Sequence, residues 1–166
     1  ASIAHICGSY HGFWAAVAAI PWILSARPGR TFPGVRGFFE QLRKDEGATL
    51  CIGAVGFCWG GKHTVLLSQG CKIDNKPLVD AAFTGHPSML SLPGDIDKIT
   101  RPVSFALAGK DSQISQKQGK ELKAIVEAKA TPATGETIIY EGTGHGFCVR
   151  ADMEYKDVAA QATRAE

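Results

Sequence analysis

Leu50-Cys51-Ile52-Gly53-Ala54-Val55-Gly56-Phe57-Cys58-Trp59-Gly60-Gly61-Lys62-His63-Thr64-Val65-Leu66-Leu67 is the stretch that decides how this chain is read. It opens as a short apolar run of small and β-branched residues, the pattern of a buried strand over Leu50–Val55. It closes on apolar Val65, Leu66 and Leu67, which read as a helix running to about Gln69 and stopped by Gly70. Between the two, Cys58 has Gly56 two residues before it and Gly60 two residues after. Gly-x-Nuc-x-Gly is the spacing of a nucleophile elbow, here with cysteine at the reactive place. A strand that reverses into a helix within about one residue strains the backbone at the nucleophile, and a Cβ at either flanking glycine is expected to collide. The following helix would aim its N–H groups at Cys58 and favour the thiolate. A free buried cysteine in a glycine-rich turn accounts for the same residues, so the stretch alone leaves both readings open.

Downstream the pattern repeats. Leu78–Thr84 reads as a second buried strand that runs into the turn Gly85-His86-Pro87-Ser88. Asp95–Ile99 has the composition of a short helical turn. Val103–Ala108 is a third strand, followed by Gly109-Lys110-Asp111. Gln116–Lys129 is an amphipathic helix with Leu122, Ile125 and Val126 on its inward face. Glu136–Tyr140 is a fourth strand, followed by Gly142-Thr143-Gly144-His145-Gly146-Phe147, and the tail 152–166 has helical composition.

Upstream, Val35–Glu46 carries Val35, Phe38, Phe39 and Leu42 at helical spacing, with Gly47 as its C-cap. Arg27–Gly34 reads as a connecting loop, and Phe13–Ser25 as a largely buried helix kinked or ended near Pro21. Residues 1–12 read as a loop. His5 and His11 flank Cys7, but without a fourth ligand or a repeated spacing they are expected to be incidental, and no metal site is expected.

Apolar strands alternating with helices predict an α/β domain on a parallel sheet buried on both faces. Ligands collect at the carboxyl ends of such strands. Cys58, Asp111 and His145 fall there, after the first, third and fourth predicted strands, in the order nucleophile, acid, histidine. His145 would take the thiol proton and return it to a leaving group, while Asp111 would fix the imidazole tautomer. The Trp59 N–H would serve as an oxyanion donor. A turn or N-cap aspartate and a glycine-flanked loop histidine are the plainer alternatives for Asp111 and His145, and one aspartate can do both jobs. Gly144 and Gly146 point to a backbone that turns tightly to present the ring.

Composition bounds the rest. The chain has 166 residues, 45% hydrophobic and 20% charged, with a net charge of +2 and no basic run. That suits one globular domain over 1–166 and argues against nucleic acid or an anionic membrane as partner. The longest apolar stretch, Phe13–Leu24, is broken by Pro21 and is too short to span a bilayer. Five cysteines at irregular spacing, with no Cys-x-x-Cys pair, fit a reducing, cytoplasmic setting rather than a disulfide framework or a zinc site.

Gly56-Phe57-Cys58-Trp59-Gly60-Gly61-Lys62, Ala108-Gly109-Lys110-Asp111 and Gly144-His145-Gly146-Phe147 with Arg150 beyond together resemble the dienelactone hydrolase family, in particular its fungal members. The resemblance runs from about residue 35 to the end. It implies a three-layer, mostly parallel α/β-hydrolase-like fold and a cysteinyl acyl-enzyme that opens small activated esters or lactones, with no cofactor, as a monomer or homodimer. It implies that Arg150 steadies a substrate carboxylate, although the family pattern puts that arginine where this chain has Val149, and a solvated surface arginine is the alternative. His86, like Trp59, is a candidate for the pocket wall. The family also places strands, a second oxyanion N–H and a glutamate ahead of the elbow. Only helix and loop are read before Cys58, so the expectation is a domain truncated at the amino end and clipped at the carboxyl end. Two other readings stand beside the hydrolase: a catalytically impaired α/β binding or scaffold protein that retains the elbow, and redox sensing by Cys58, which lacks a resolving cysteine at a recognisable spacing.

Overall fold

A computed structural model describes residues 17–150 other than Ala19, Trp22 and Ile23. The loop read over 1–12, with His5, Cys7 and His11, and the tail 152–166 lie outside the described residues. The chain divides into two compact units, Ala1–Gly34 and Val35–Glu166, and the sheet lies in the second. Of the helix read over Phe13–Ser25, the described residues on both sides of Pro21 are helical. The burial expected of it is not seen, because Val17, Ile20 and Leu24 are all exposed. Among the described residues no helix is long and apolar enough to cross a membrane.

Helix α1 spans Pro28–Lys44, so the segment read as a loop is its first turns. Pro28 explains the difference: at the first helical position its missing N–H is one that no helix could use, and its fixed φ is already helical. Arg43 and Lys44 close the helix at the end where cations oppose the dipole. Gly47 is not its C-cap. It lies in a short 3-10 turn, Glu46–Ala48, where a Cβ would strike Ile52 and the Leu42 carbonyl.

Strands β1 (Gly53–Phe57), β4 (Ala81–Gly85), β5 (Val103–Lys110) and β6 (Glu136–Gly144) form a four-stranded sheet in the order β1-β4-β5-β6, with every pairing parallel. β5 matches the expectation of burial on both faces, with Phe105, Ala106 and Leu107 all buried. β1 does not: Ala54 is 4% exposed but Val55 is 66% exposed, the alternation of an edge strand. A separate hairpin of β2 (Lys72–Ile73) and β3 (Lys76–Pro77), absent from the sequence reading, turns through Asp74 and Asn75. Both have positive φ, 48° and 64°, as a type I′ turn requires.

Helices flank the sheet. α2 (Trp59–Leu67) packs on β1 and β4, and α4 (Gln116–Glu127) packs on β5 and β6 through buried Leu122 and Val126. Ser115 caps α4, its hydroxyl accepting from the Gln118 N–H in a capping box. A short helix α3, Gly94–Asp97, carries Asp95, which accepts from the Lys62 ammonium of α2 at 2.5 Å.

Buried Arg43 ties the amino ends of two strands together. Its guanidinium donates to the carbonyls of Gly47 and Leu50 and to the Asp80 carboxylate at 2.7 Å, and Asp80 also accepts from the Ile52 N–H at 2.7 Å. Burial would raise the Asp80 carboxyl, but the hydrogen bonds from Arg43 and Ile52 draw it below its ordinary value.

Candidate active site

The strand β1 ends at Phe57 and α2 begins at Trp59, leaving Cys58 alone to make the reversal. Its backbone sits at φ 50°, ψ −116°, a conformation that costs a non-glycine residue about 1–3 kcal/mol. Three backbone bonds hold it there: Cys58 N–H to Gly85 O at 3.2 Å, and the N–H groups of Gly61 and Ser88 to Cys58 O at 3.1 and 2.9 Å. The neighbouring glycines divide unevenly. A Cβ on Gly56 would strike the Thr64 hydroxyl and the Gly60 carbonyl, and one on Gly61 would strike Thr84 and Pro87. Gly60, expected to be as crowded as Gly56, faces open space. Close approach of α2 to β4 therefore depends on Gly61, one place later than the elbow spacing implied.

Asp111 directly follows β5, and its carboxylate accepts from the Gln113 N–H at 2.8 Å, so it is a turn aspartate as well. The helix beyond is capped by Ser115 instead. His145 directly follows β6. Gly146, at φ +94°, makes the tight turn, whereas Gly144 has ordinary φ and no close neighbour. Behind the loop, Phe147 and Cys148 are anchored in an apolar cluster with Ala106, Ala108 and Tyr140.

These three side chains, far apart in the chain, meet. His145 Nδ1 lies 3.0 Å from both Asp111 carboxylate oxygens, and Nε2 lies 3.1 Å from Cys58 Sγ. A carboxylate only accepts, so Nδ1 carries the hydrogen and Nε2 faces the thiol as acceptor. The Asp111 side chain is 2% exposed and that of His145 21%, so water screens the pair little. Burial alone would push the Cys58 thiol up. Hydrogen bonds from His145 and Ser88, the nearby imidazole charge and the Trp59 N–H outweigh it, and the thiol sits below its ordinary value. His145 moves the other way: burial would lower it, but Cys58 and Asp111 hold it above its ordinary value. The arrangement can pass the thiol proton to Nε2 and stabilise the resulting thiolate–imidazolium pair.

The remaining residues fall unevenly around this array. The Trp59 N–H is among the groups that favour the Cys58 thiolate, and the Trp59 ring packs on His63 with centroids 4.1 Å apart. His86 is not at an open wall: it is 1% exposed, with its ring 5.0 Å from that of His145 and with Phe57 and Phe147 beside it. Burial, and then the charge on His145, lower its basicity. Arg150 is exposed and folds back over Gly146, its N–H donating to Gly146 O at 2.8 Å. Ser88, which sequence reasoning passed over, lies 3.7 Å from Cys58 Sγ through its hydroxyl. The signal for it was its place in the turn after a strand, at the same rim as the other site residues. No group of His, Cys, Asp and Glu arranged to hold a metal occurs among the described residues.

Against known proteins, the model of the dienelactone hydrolase family matches residues 32–166. The chain is 26% identical over 132 residues to hydrolase pyvD of Aspergillus violaceofuscus, covering 80% of this chain and 50% of that protein. It is 32% identical over 107 residues to hydrolase tropI of Talaromyces stipitatus, covering 64% of this chain and 39% of that one. The chain thus spans half or less of the length of these curated relatives. A Klebsiella pneumoniae structure assigned to the dienelactone hydrolases superposes with a TM-score of 0.60 at 22% identity, over 82% of this chain and 58% of that one. A Thermogutta terrifontis esterase with butyrate bound superposes with a TM-score of 0.59 at 14% identity, over 81% and 62%. At such identities the superpositions establish the fold, which is α/β-hydrolase-like.

Proposed function

Because the chain belongs to the dienelactone hydrolase family, we propose that it is a cysteine-dependent hydrolase of small esters or lactones, with Cys58 as nucleophile, His145 as acid–base and Asp111 as the group that orients His145. The observation that carries this reading is the unbroken hydrogen-bonded line from Cys58 Sγ through both ring nitrogens of His145 to the Asp111 carboxylate.

The chemistry runs in two halves. His145 Nε2 takes the Sγ proton, and the thiolate attacks the acyl carbon to form the C–S bond. The carbonyl oxygen gathers the negative charge, and the Trp59 N–H donates to it. As the tetrahedral adduct collapses, the C–O bond to the leaving group breaks, and His145 returns its proton to that oxygen. In the second half His145 draws a proton from water as it adds to the thioester. Collapse then breaks the C–S bond and releases the acid, and the thiol regains its proton. A leaving group that is stable as an anion suits a thiolate, which is itself a good leaving group from the adduct. That favours activated esters and enol lactones over alkyl esters. Arg150 beyond the His145 turn would favour substrates that carry a carboxylate.

The test is a screen of activated esters and lactones, with and without a carboxylate, on the parent protein and on Cys58→Ala and Cys58→Ser. Turnover that vanishes in both variants, with iodoacetamide labelling Cys58 ahead of Cys51 and Cys71, supports the assignment. Equal labelling of the three cysteines would sink it. An ester that binds without turnover, with affinity intact in Cys58→Ala, would point to the binding-protein reading instead.

A further inference from the structure

The turn Gly85–Met89 after β4 holds the nucleophile as closely as the histidine does. Gly85 O accepts from the Cys58 N–H, the Ser88 N–H donates to Cys58 O, and the Ser88 hydroxyl lies 3.7 Å from Cys58 Sγ. Ser88 is 6% exposed, so its hydroxyl has little water to turn to. The turn is also strained: His86 and Met89, on either side of Pro87 and Ser88, have positive φ of 36° and 58°. Strain of this kind persists where the surroundings over-determine the backbone, and here it keeps Ser88 against the sulfur.

We propose that Ser88 is a catalytic residue whose hydroxyl donates a hydrogen bond to the Cys58 thiolate, as a second partner beside His145. The proposal rests on Cys58 being the nucleophile. Its physical basis is the difference between the two states of the sulfur. As a thiol, Sγ can donate or accept, so the Ser88 hydroxyl has no fixed role. As a thiolate, Sγ has no proton and only accepts, so Ser88 must donate, and hydrogen bonds to a charged acceptor are the stronger ones. The bond therefore favours the charged form. The sulfur bears that charge twice in each cycle, on attack and when the C–S bond of the acyl-enzyme breaks. His145 can donate at these points only when it is protonated. The hydroxyl is neutral and donates whichever state His145 is in.

The test reads Cys58 itself and needs no substrate. Alkylation by iodoacetamide is followed at Cys58 by peptide mass as pH is raised, in the parent protein and in Ser88→Ala, Ser88→Val and Ser88→Thr. All of these keep the Ser88 backbone N–H, and Val and Thr have the same shape but differ in the hydroxyl. The expected result is an inflection moved up by about half to one pH unit in Ser88→Ala and Ser88→Val, with Ser88→Thr close to the parent. Above the inflection the Ala and Val variants should react at least as fast as the parent, since a more basic thiolate is the better nucleophile. Superimposable profiles, a Val variant indistinguishable from Thr, or a rate loss equal at every pH would overturn the role for Ser88 and leave the hydrolase reading standing. An ordinary thiol inflection in the parent would instead overturn the hydrolase reading, and this one with it.

Discussion

Replacing Asp111 by asparagine keeps the shape of the site and removes one charge, so its effect can be worked out. Both Asp111 oxygens lie 3.0 Å from His145 Nδ1, and the Asp111 side chain is 2% exposed. At that separation, with an effective dielectric of about 20, the carboxylate attracts an imidazolium by about 5 kcal/mol. The amide oxygen of asparagine retains a neutral hydrogen bond of about 1 kcal/mol. The shortfall of about 4 kcal/mol falls on the state in which His145 has taken the thiol proton, and corresponds to a loss on the order of 1,000-fold in kcat/KM near neutral pH. Two measurements separate the causes. Alkylation of Cys58 in Asp111→Asn should recover as pH rises, because hydroxide can make the thiolate without help. Turnover of an activated ester should not recover with it, because the second half of the cycle still needs His145, oriented by Asp111, to draw the proton from water. A variant within about tenfold of the parent in turnover at neutral pH would refute the reasoning, since that leaves under 1.5 kcal/mol for the pair.

Three further outcomes are expected. The Cys58 thiol is held below its ordinary value and His145 above its own. kcat/KM should therefore rise with pH through the first ionisation and fall through the second, both belonging to the coupled pair, and a profile that only rises through an ordinary thiol inflection would contradict it. The alanine variants of adjacent glycines should part company by calorimetry. Gly60→Ala has open space and sits in a helix, so it should be neutral or stabilising by up to about 1 kcal/mol, whereas Gly61→Ala meets Pro87 at 2.8 Å and should cost about 1–3 kcal/mol; equal melting temperatures would refute the packing account. Arg43→Ala leaves the buried Gly47 carbonyl without its side-chain donor and Asp80 with only the Ile52 N–H, and should cost about 2 kcal/mol or more in urea unfolding, with a loss under about 1 kcal/mol as the contrary result.

The parts of the site that were legible are those written locally. Cys58, Asp111 and His145 each stand just past an apolar run, and glycines mark the turns. Exact strand ends were not legible: the strand read as Leu50–Val55 pairs over Gly53–Phe57, because an apolar run does not say where its hydrogen bonding stops. The α1 boundary failed for a related reason. Pro28 and Pro33 look like loop residues, yet the first of them is compatible with a helix start. The role of Gly61 was hidden because the atoms that crowd it, on Thr84 and Pro87, belong to a different strand and turn.

What the sequence withheld is register, and register builds this site. The β1–β4 pairing sets Phe57 opposite Gly85. The residues that follow, Cys58 on one side and the His86–Ser88 turn on the other, are thereby delivered to the same rim, which is why Ser88 reaches a sulfur 30 positions earlier in the chain. The β5–β6 pairing sets Lys110 opposite Gly144, after an irregularity between Ala108 and Lys110. The next residue on each strand is Asp111 and His145, which meet at 3.0 Å. A slip of one residue in the second pairing would turn one of these side chains to the other face of the sheet and break the line to Cys58. The irregularity is therefore part of the site: β5 advances from Ala108 to Lys110 while its partners on β6 run from Tyr140 to Gly144, and the extra residues on β6 let acid and base emerge side by side.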